Sequence, residues 1–419
     1  MNIISSKPNR RIDLPATFVL LIVGTSLAWG LGVLEFRGIK IAPWDWASLI
    51  IGALWAHYFS YNRFKVTQAI LVALFLAFLF TTWMGICAFV SSQPERALTM
   101  FLLQIRNLLL FFCITTLFVT FRIDLERLNV WIFGLGVIIA FISVIIYIPA
   151  VREYNNIVSN PALWKPGIGY ILDQGGVLRL IGLAKDPNFY SAWLSLSFFA
   201  GIMSSRSRLK WLGIAIIALS LLLAMSRAYT VVLPASTLIL LVLAVLNVKL
   251  RRALKGYIRS IILVAVFSLI VGAVWSLTLN DIWESILKRA ELAGTTPRFA
   301  MWQTLIENMK SDFNPIVGQG LRGAEQALEG KYSHNSYLDV LFETRVIGFS
   351  IWSLFVVFVT ILAIRRLAEP GWVPWAQSWL IILGMFLSLS APYHPYVWML
   401  AAVIVGTRQN AIESQEHFV

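Results

Sequence analysis

The chain has 419 residues, of which 58% are hydrophobic and only 13% charged, with a mean hydropathy of +0.76. A soluble domain carries about 45–50% apolar and about 25% charged residues, so composition excludes an ordinary soluble enzyme. The formal net charge of +13 largely reflects the Lys and Arg excess that membrane proteins keep in their cytoplasmic loops, and it gives no support to a nucleic-acid partner.

Apolar runs of roughly 17–25 residues, enough to cross a bilayer as helix, recur along the chain. They predict twelve spans near 15–34, 45–60, 66–90, 97–120, 128–149, 188–204, 211–225, 229–247, 258–279, 346–364, 375–391 and 396–406. Helix is the expected form, because alternating ten-residue strands are absent and lipid offers an open backbone no partner. The expected fold is an all-α polytopic membrane protein, one integral domain over 1–419, with long connections at 150–187 and 280–345. Lys7, Arg10, Arg11, Arg122, Arg127, Arg251, Arg365 and Arg366 gather on one side, against Arg37, Lys40, Arg96 and Arg227 in the short connections of the other. This asymmetry predicts cytoplasmic N- and C-termini and places both long connections outside. The first span lacks a small-residue cleavage site and reads as an anchor. Cys87 and Cys113 fall in different spans at different depths, so no disulfide framework is expected.

Polar residues within this pattern are few. Carboxylates are nearly absent from the spans, which argues against an ion-coupled carrier. Arg106, in FLLQIRNLLL, is the clearest deep charge; it faces a polar cavity, snorkels outward or pins two helices. In LRLIGLAKDPNFYSAWL, residues 178–194, Asp186-Pro187-Asn188 is a helix-start signature, with Arg179 shortly before it. Next, LAMSRAYTVVLP places Ser226 and Arg227 in a tight outer turn, where the bland reading of the Arg is an anchor to lipid phosphate.

The second long connection is richest. In TTPRFAMWQTLIENMKSDF, Thr296 is a cap and Pro297 opens a helix. Phe299, Trp302, Leu305, Ile306, Met309 and Phe313 then share one face. Arg298 lies in the first turn, where a cation opposes the helix dipole but an anionic ligand would be welcome. The glycine-rich NPIVGQGLRG, 314–323, lacks the lysine and spacing of a nucleotide P-loop. His334 then precedes a helix that turns Tyr337, Leu338, Leu341 and Phe342 toward the protein. A lone histidine is more often structural than catalytic. His394, in APYHPY, is on the same side; with no second His or Cys beside His334, no metal is expected.

Arginine suits a diphosphate because its planar fork bonds bidentately and stays charged. Histidine suits taking a proton from a hydroxyl near neutral pH. Three arginines and one histidine on one face together describe transfer from a diphosphate donor to an alcohol.

Four segments resemble the O-antigen ligase and polymerase superfamily of membrane glycosyltransferases: SR at 226–227, PRFAMW at 297–302, NPIVGQG at 314–320, and HNSYLDVLFE with the following IG at 334–348. The likeness covers roughly residues 178–350. It implies a GT-C-like, metal-independent, inverting enzyme of the bacterial cytoplasmic membrane, needing no cofactor. Its substrates would be an undecaprenyl-diphosphate-linked oligosaccharide and a sugar-hydroxyl acceptor, met at an extracytoplasmic site in the 280–345 loop. It assigns His334 the base role and Arg227, Arg298 and Arg179 the diphosphate role. Arg345, Glu343 and Asn335 are additional candidates. Where the family has Glu followed shortly by Gly, this chain reads Glu343-Thr344-Arg345.

Polymerisation of repeat units is the first expectation, with a flippase and a chain-length regulator as further partners. Ligation of a finished glycan to lipid A-core is the alternative. A carrier of an anion or lipid-linked sugar would instead place broken helices and polar groups near the midplane.

Overall fold

In the computed structural model, the described residues are 34–36, 39–41, 43–59, 66–120, 125–152, 169–173, 177–182, 184, 186–203, 209–251, 254, 257, 298–311 and 316–407. The expected spans 15–34 and 258–279, the cap at Thr296 and Pro297, and Phe313 lie outside them. Most described residues are helical. The helices are α1 Pro43–Phe59, α2 Gln68–Phe89, α3 Pro94–Thr120, α4 Leu125–Arg152, α5 Pro187–Met203, α6 Leu209–Leu223, α7 Arg227–Leu246, α8 Arg298–Ser311, α9 Gly323–Ala327, α10 Ser336–Arg365, α11 Val373–Met385 and α12 Pro395–Gly406. Five stretches among them are long and apolar enough to cross a membrane: Gln68–Phe89, Pro94–Thr120, Leu125–Val151, Arg227–Leu246 and Ser336–Arg365.

The all-helical expectation needs one correction. Two short antiparallel hairpins are present, β1 Leu34–Phe36 with β2 Ile39–Ile41, and β3 Gly169–Asp173 with β4 Val177–Gly182. The second lies in the long 150–187 connection and packs on α4, where the Tyr147 hydroxyl donates to the Leu178 carbonyl at 3.0 Å.

Apolar burial builds the core, with Trp375, Trp379, Trp398, Phe80 and Phe111 wholly enclosed. Helices α3 and α12 run side by side in the same direction. Asn107 Nδ2 bonds the Tyr393 carbonyl at 2.7 Å, Phe111 meets Trp398 edge-on, and Thr115 Oγ1 bonds the Ala402 carbonyl at 3.4 Å.

Helix α10 is broken rather than straight. Arg345 has φ 51 and ψ −159, conformational space that suits glycine. Tyr337 and Trp352 would be roughly 22 Å apart along one straight helix, yet their rings lie 5.6 Å apart. The segment before Arg345 therefore folds back, and the apolar run after it is the expected span 346–364. Backbone groups freed by the break are recovered: Trp83 Nε1 donates to the Thr344 carbonyl at 3.0 Å and Gln319 N to the Phe342 carbonyl at 3.3 Å. The Arg345 side chain reaches the Met309 carbonyl at 3.4 Å, a weak bond. Arg345→Gly and Arg345→Ala remove the same side chain, but only glycine relieves the backbone, by about 1–3 kcal/mol, so the thermal midpoint of purified Arg345→Gly is expected above that of Arg345→Ala; the reverse order would show that the backbone here is relaxed.

The expected span 375–391 also ends early. Helix α11 stops at Met385, and residues 386–394 form a loop whose Phe386, Leu389 and Ala391 are buried. Irregular backbone inside a bundle needs polar partners. Ser336 supplies three: its N–H donates to the Phe386 carbonyl at 2.8 Å, and its hydroxyl donates to the Leu389 carbonyl at 2.5 Å while accepting from Ala391 N at 2.9 Å.

The amphipathic face of α8 is narrower than the spacing implies. Leu305 is fully buried and packs with Met301, Met309, Ala324, Leu328, Leu338 and Phe342, whereas Phe299 is 73% and Ile306 40% exposed. The inward stripe is thus 301–305–309, because α8 presses on α9 and α10 along that line.

Candidate functional site

His334 sits on a turn held from all sides. The Ser333 carbonyl accepts from Trp302 Nε1 at 2.9 Å, tying the turn to α8. The Ser333 hydroxyl donates to Asp339 Oδ1 at 2.5 Å and accepts from Asn335 N at 2.9 Å. His334 N donates to Ser390 Oγ at 2.9 Å, from the α11–α12 loop. Asn335 caps α10, accepting from the N–H groups of Tyr337 and Leu338 at 3.1 Å each. His334 itself takes φ 55, a left-handed conformation that histidine tolerates better than most residues. The half-buried imidazole therefore projects from a backbone fixed on several sides.

Burial lowers the His334 pKa below its ordinary 6.5; the nearby Arg298 cation lowers it further, and the Asp186 carboxylate opposes both. The imidazole is therefore neutral near neutral pH, as a proton acceptor must be. Arg298, at the start of α8, and Asp186, ahead of α5, thus belong to the same neighbourhood as His334.

Asp186 also caps α5, accepting from Asn188 N at 2.7 Å and Phe189 N at 3.1 Å. Asn188 carries the connection onward, since its Oδ1 accepts from the Ser226 hydroxyl at 2.7 Å. Ser226 caps α7 and Arg227 is the first residue of that helix. Arg179, on β4, is buried and donates from Nε to the Ala224 carbonyl at 3.1 Å and from Nη2 to the Met225 carbonyl at 3.3 Å. It therefore holds the turn that carries Arg227.

The other candidates shape the site from behind. Glu343 is buried and accepts from Arg322 N at 2.9 Å and from the Tyr393 hydroxyl at 3.1 Å, joining the glycine-rich turn to the α11–α12 loop. Arg345 stands at the break in α10, bonded toward the far end of α8.

Sequence reasoning gave Asp186 only a capping role and passed over Asp339 and Ser390. Spacing carries no signal for Ser390, which lies 56 residues from the backbone it holds. Among the described residues no group of three or more His, Cys, Asp or Glu gathers that could hold a metal ion.

No protein-family model matches the chain, and no curated protein matches it. The class defined by fold and site is a helical protein, compatible with a membrane, whose polar site is built from the ends of α5, α7 and α8, the start of α10 and the α11–α12 loop.

Proposed function

We propose that this chain is a membrane glycosyltransferase of about twelve spans and GT-C-like architecture, using an undecaprenyl-diphosphate-linked glycan as donor and polymerising repeat units outside the bacterial cytoplasmic membrane. The observation that supports this reading is the His334 turn, tied by Trp302 Nε1 on the Ser333 carbonyl at 2.9 Å to the helix that Arg298 opens and by Ser390 to the α11–α12 loop. In the proposed step His334 takes the proton of an acceptor hydroxyl. The hydroxyl oxygen bonds to the anomeric carbon as the bond from that carbon to the diphosphate breaks. The diphosphate leaves with the bonding pair, and the anomeric centre inverts. Arg298 and Arg227 stabilise the charge growing on the leaving group, while Arg179 holds the Arg227 turn. Cytoplasmic termini and an extracytoplasmic site complete the proposal.

A second reading has one specific observation in its favour. Helices α11 and α12 are short, and their connecting loop meets α3 near its middle at Asn107, as the broken helices of carriers do. The deciding test is an in vitro assay with purified protein and a defined undecaprenyl-diphosphate oligosaccharide. A ladder of lengthening products supports polymerisation. One-step transfer that requires added lipid A-core makes it a ligase, and counterflow of the donor in proteoliposomes without new glycosidic bonds makes it a carrier.

A further inference from the structure

Two serine hydroxyls hold the backbone N–H groups of His334 and Asn335. Ser390 Oγ accepts from His334 N at 2.9 Å, and Ser333 Oγ accepts from Asn335 N at 2.9 Å. Each hydroxyl carries a single proton, which must then point to some other acceptor. Ser333 directs its proton to Asp339 Oδ1 at 2.5 Å, the shorter of its two contacts, the other being the Asn335 carbonyl at 3.2 Å. Ser390 also bonds the Asp339 side chain, and the two serine oxygens lie 3.4 Å apart. One carboxylate therefore gathers the protons of both hydroxyls that grip the turn.

The place of Asp339 in the fold suits this task. It lies in the first turn of α10, where the helix dipole favours a carboxylate, and its N–H donates to the Asn335 carbonyl at 3.0 Å. An ionised carboxylate only accepts, so it serves two hydroxyls without offering either a competing proton. Asp339 and Ser333 are both buried, where a lost partner is costly to replace. The grip also has something to resist. His334 stands at φ 55, and a residue in such a conformation stays there only while its surroundings over-determine it.

We propose that Asp339 is a positioning residue for His334, acting through the hydroxyls of Ser333 and Ser390 and not on a substrate. The effect on rate rests on the transferase reading and deepens it: the place of the base is set by a carboxylate five residues further along the chain, with Ser390 of the α11–α12 loop as the intermediary.

The test is steady-state glycosyl transfer by the full-length protein, read beside hydrogen–deuterium exchange of the peptide carrying residues 334–335. Asp339→Asn keeps the size of the side chain but replaces one oxygen with an NH2 donor, which cannot take a hydroxyl proton. It is expected to lower kcat about 10- to 100-fold, the cost of moving a reacting group by about 1 Å, with KM for the donor unchanged. Exchange at 334–335 is expected to quicken while that of 346–364 stays as in wild type. Ser390→Ala, a milder change, is expected to move both readouts the same way. The double variant is expected to lose less than the product of the two single losses, because both residues act through one turn; losses that multiply would overturn the connection. Unchanged kcat and exchange in folded Asp339→Asn would overturn the proposal, and so would a raised KM with kcat kept, the mark of a substrate contact. If wild type transfers no sugar, the transferase reading fails and exchange decides alone: quicker exchange in Asp339→Asn keeps Asp339 as the clamp of the turn, and unchanged exchange rejects it.

Discussion

His334→Ala is expected to reduce glycosyl transfer by about 10²- to 10⁴-fold, the usual contribution of a positioned base, while donor binding is kept. The pH dependence makes this more specific than loss of activity alone. Burial and Arg298 both disfavour the imidazolium, so the acidic limb of kcat/KM in wild type is expected below 6.5. Arg298→Gln removes one of these two influences, so the limb moves up toward 6.5 and stays below it because burial remains. Asp186→Asn removes the opposing carboxylate while preserving a capping side chain, so the limb moves down. Full activity in His334→Ala, or movement of either limb in the other direction, would remove His334 from the base role.

Gly320→Ala is expected to destabilise the protein by roughly 2 kcal/mol or more, combining left-handed strain of about 1–3 kcal/mol with a collision. Gly320 has φ +79, and a methyl group there would lie 2.6 Å from Ser91 Cα and 2.8 Å from the Cys87 carbonyl oxygen. Both are backbone atoms of the α2 terminus and cannot swing aside. The same junction is stapled by the Ser91 hydroxyl donating to the Leu321 carbonyl at 2.9 Å and by Cys87 Sγ donating to the Val317 carbonyl at 3.3 Å. Gly330 is the natural control: its φ is +86, but nothing lies within 4 Å of the added carbon. Gly330→Ala therefore carries the backbone cost alone, and a thermal midpoint shift equal to that of Gly320→Ala would refute the packing argument.

The glycine-rich 314–323 stretch illustrates how much is legible in advance. Its composition predicts a turn and its spacing excludes a nucleotide loop. That its glycines let the turn press against α2 depends on a segment some 230 residues away, and that Gly318 fits against the Glu343 carbonyl depends on the break in α10. Arg345 is a similar case. Its departure from the Glu-then-Gly pattern is visible in the sequence, but the glycine-like φ that gives the departure meaning appears only where α10 folds back.

Local chemistry is read locally. Long apolar runs predict α2, α3, α4 and α7 because a helix satisfies its own backbone. Asp186, Ser226 and Asn335 cap helices because a side-chain oxygen reaches N–H groups two or three residues on. The sequence alone thus located the long apolar helices and the start of α5 at Asp186, whereas the caps at Ser226 and Asn335 and the two hairpins appear only in the structure. Only the tertiary structure decided that α11 stops short, that Ser390 and Asp339 hold the His334 turn, and that Arg298 and Asp186 bear on one imidazole. Apart from the Ser333–Asp339 bond, which spans six residues, those relations join residues dozens to more than a hundred positions apart, and such contacts arise from packing whole helices, which no local spacing encodes.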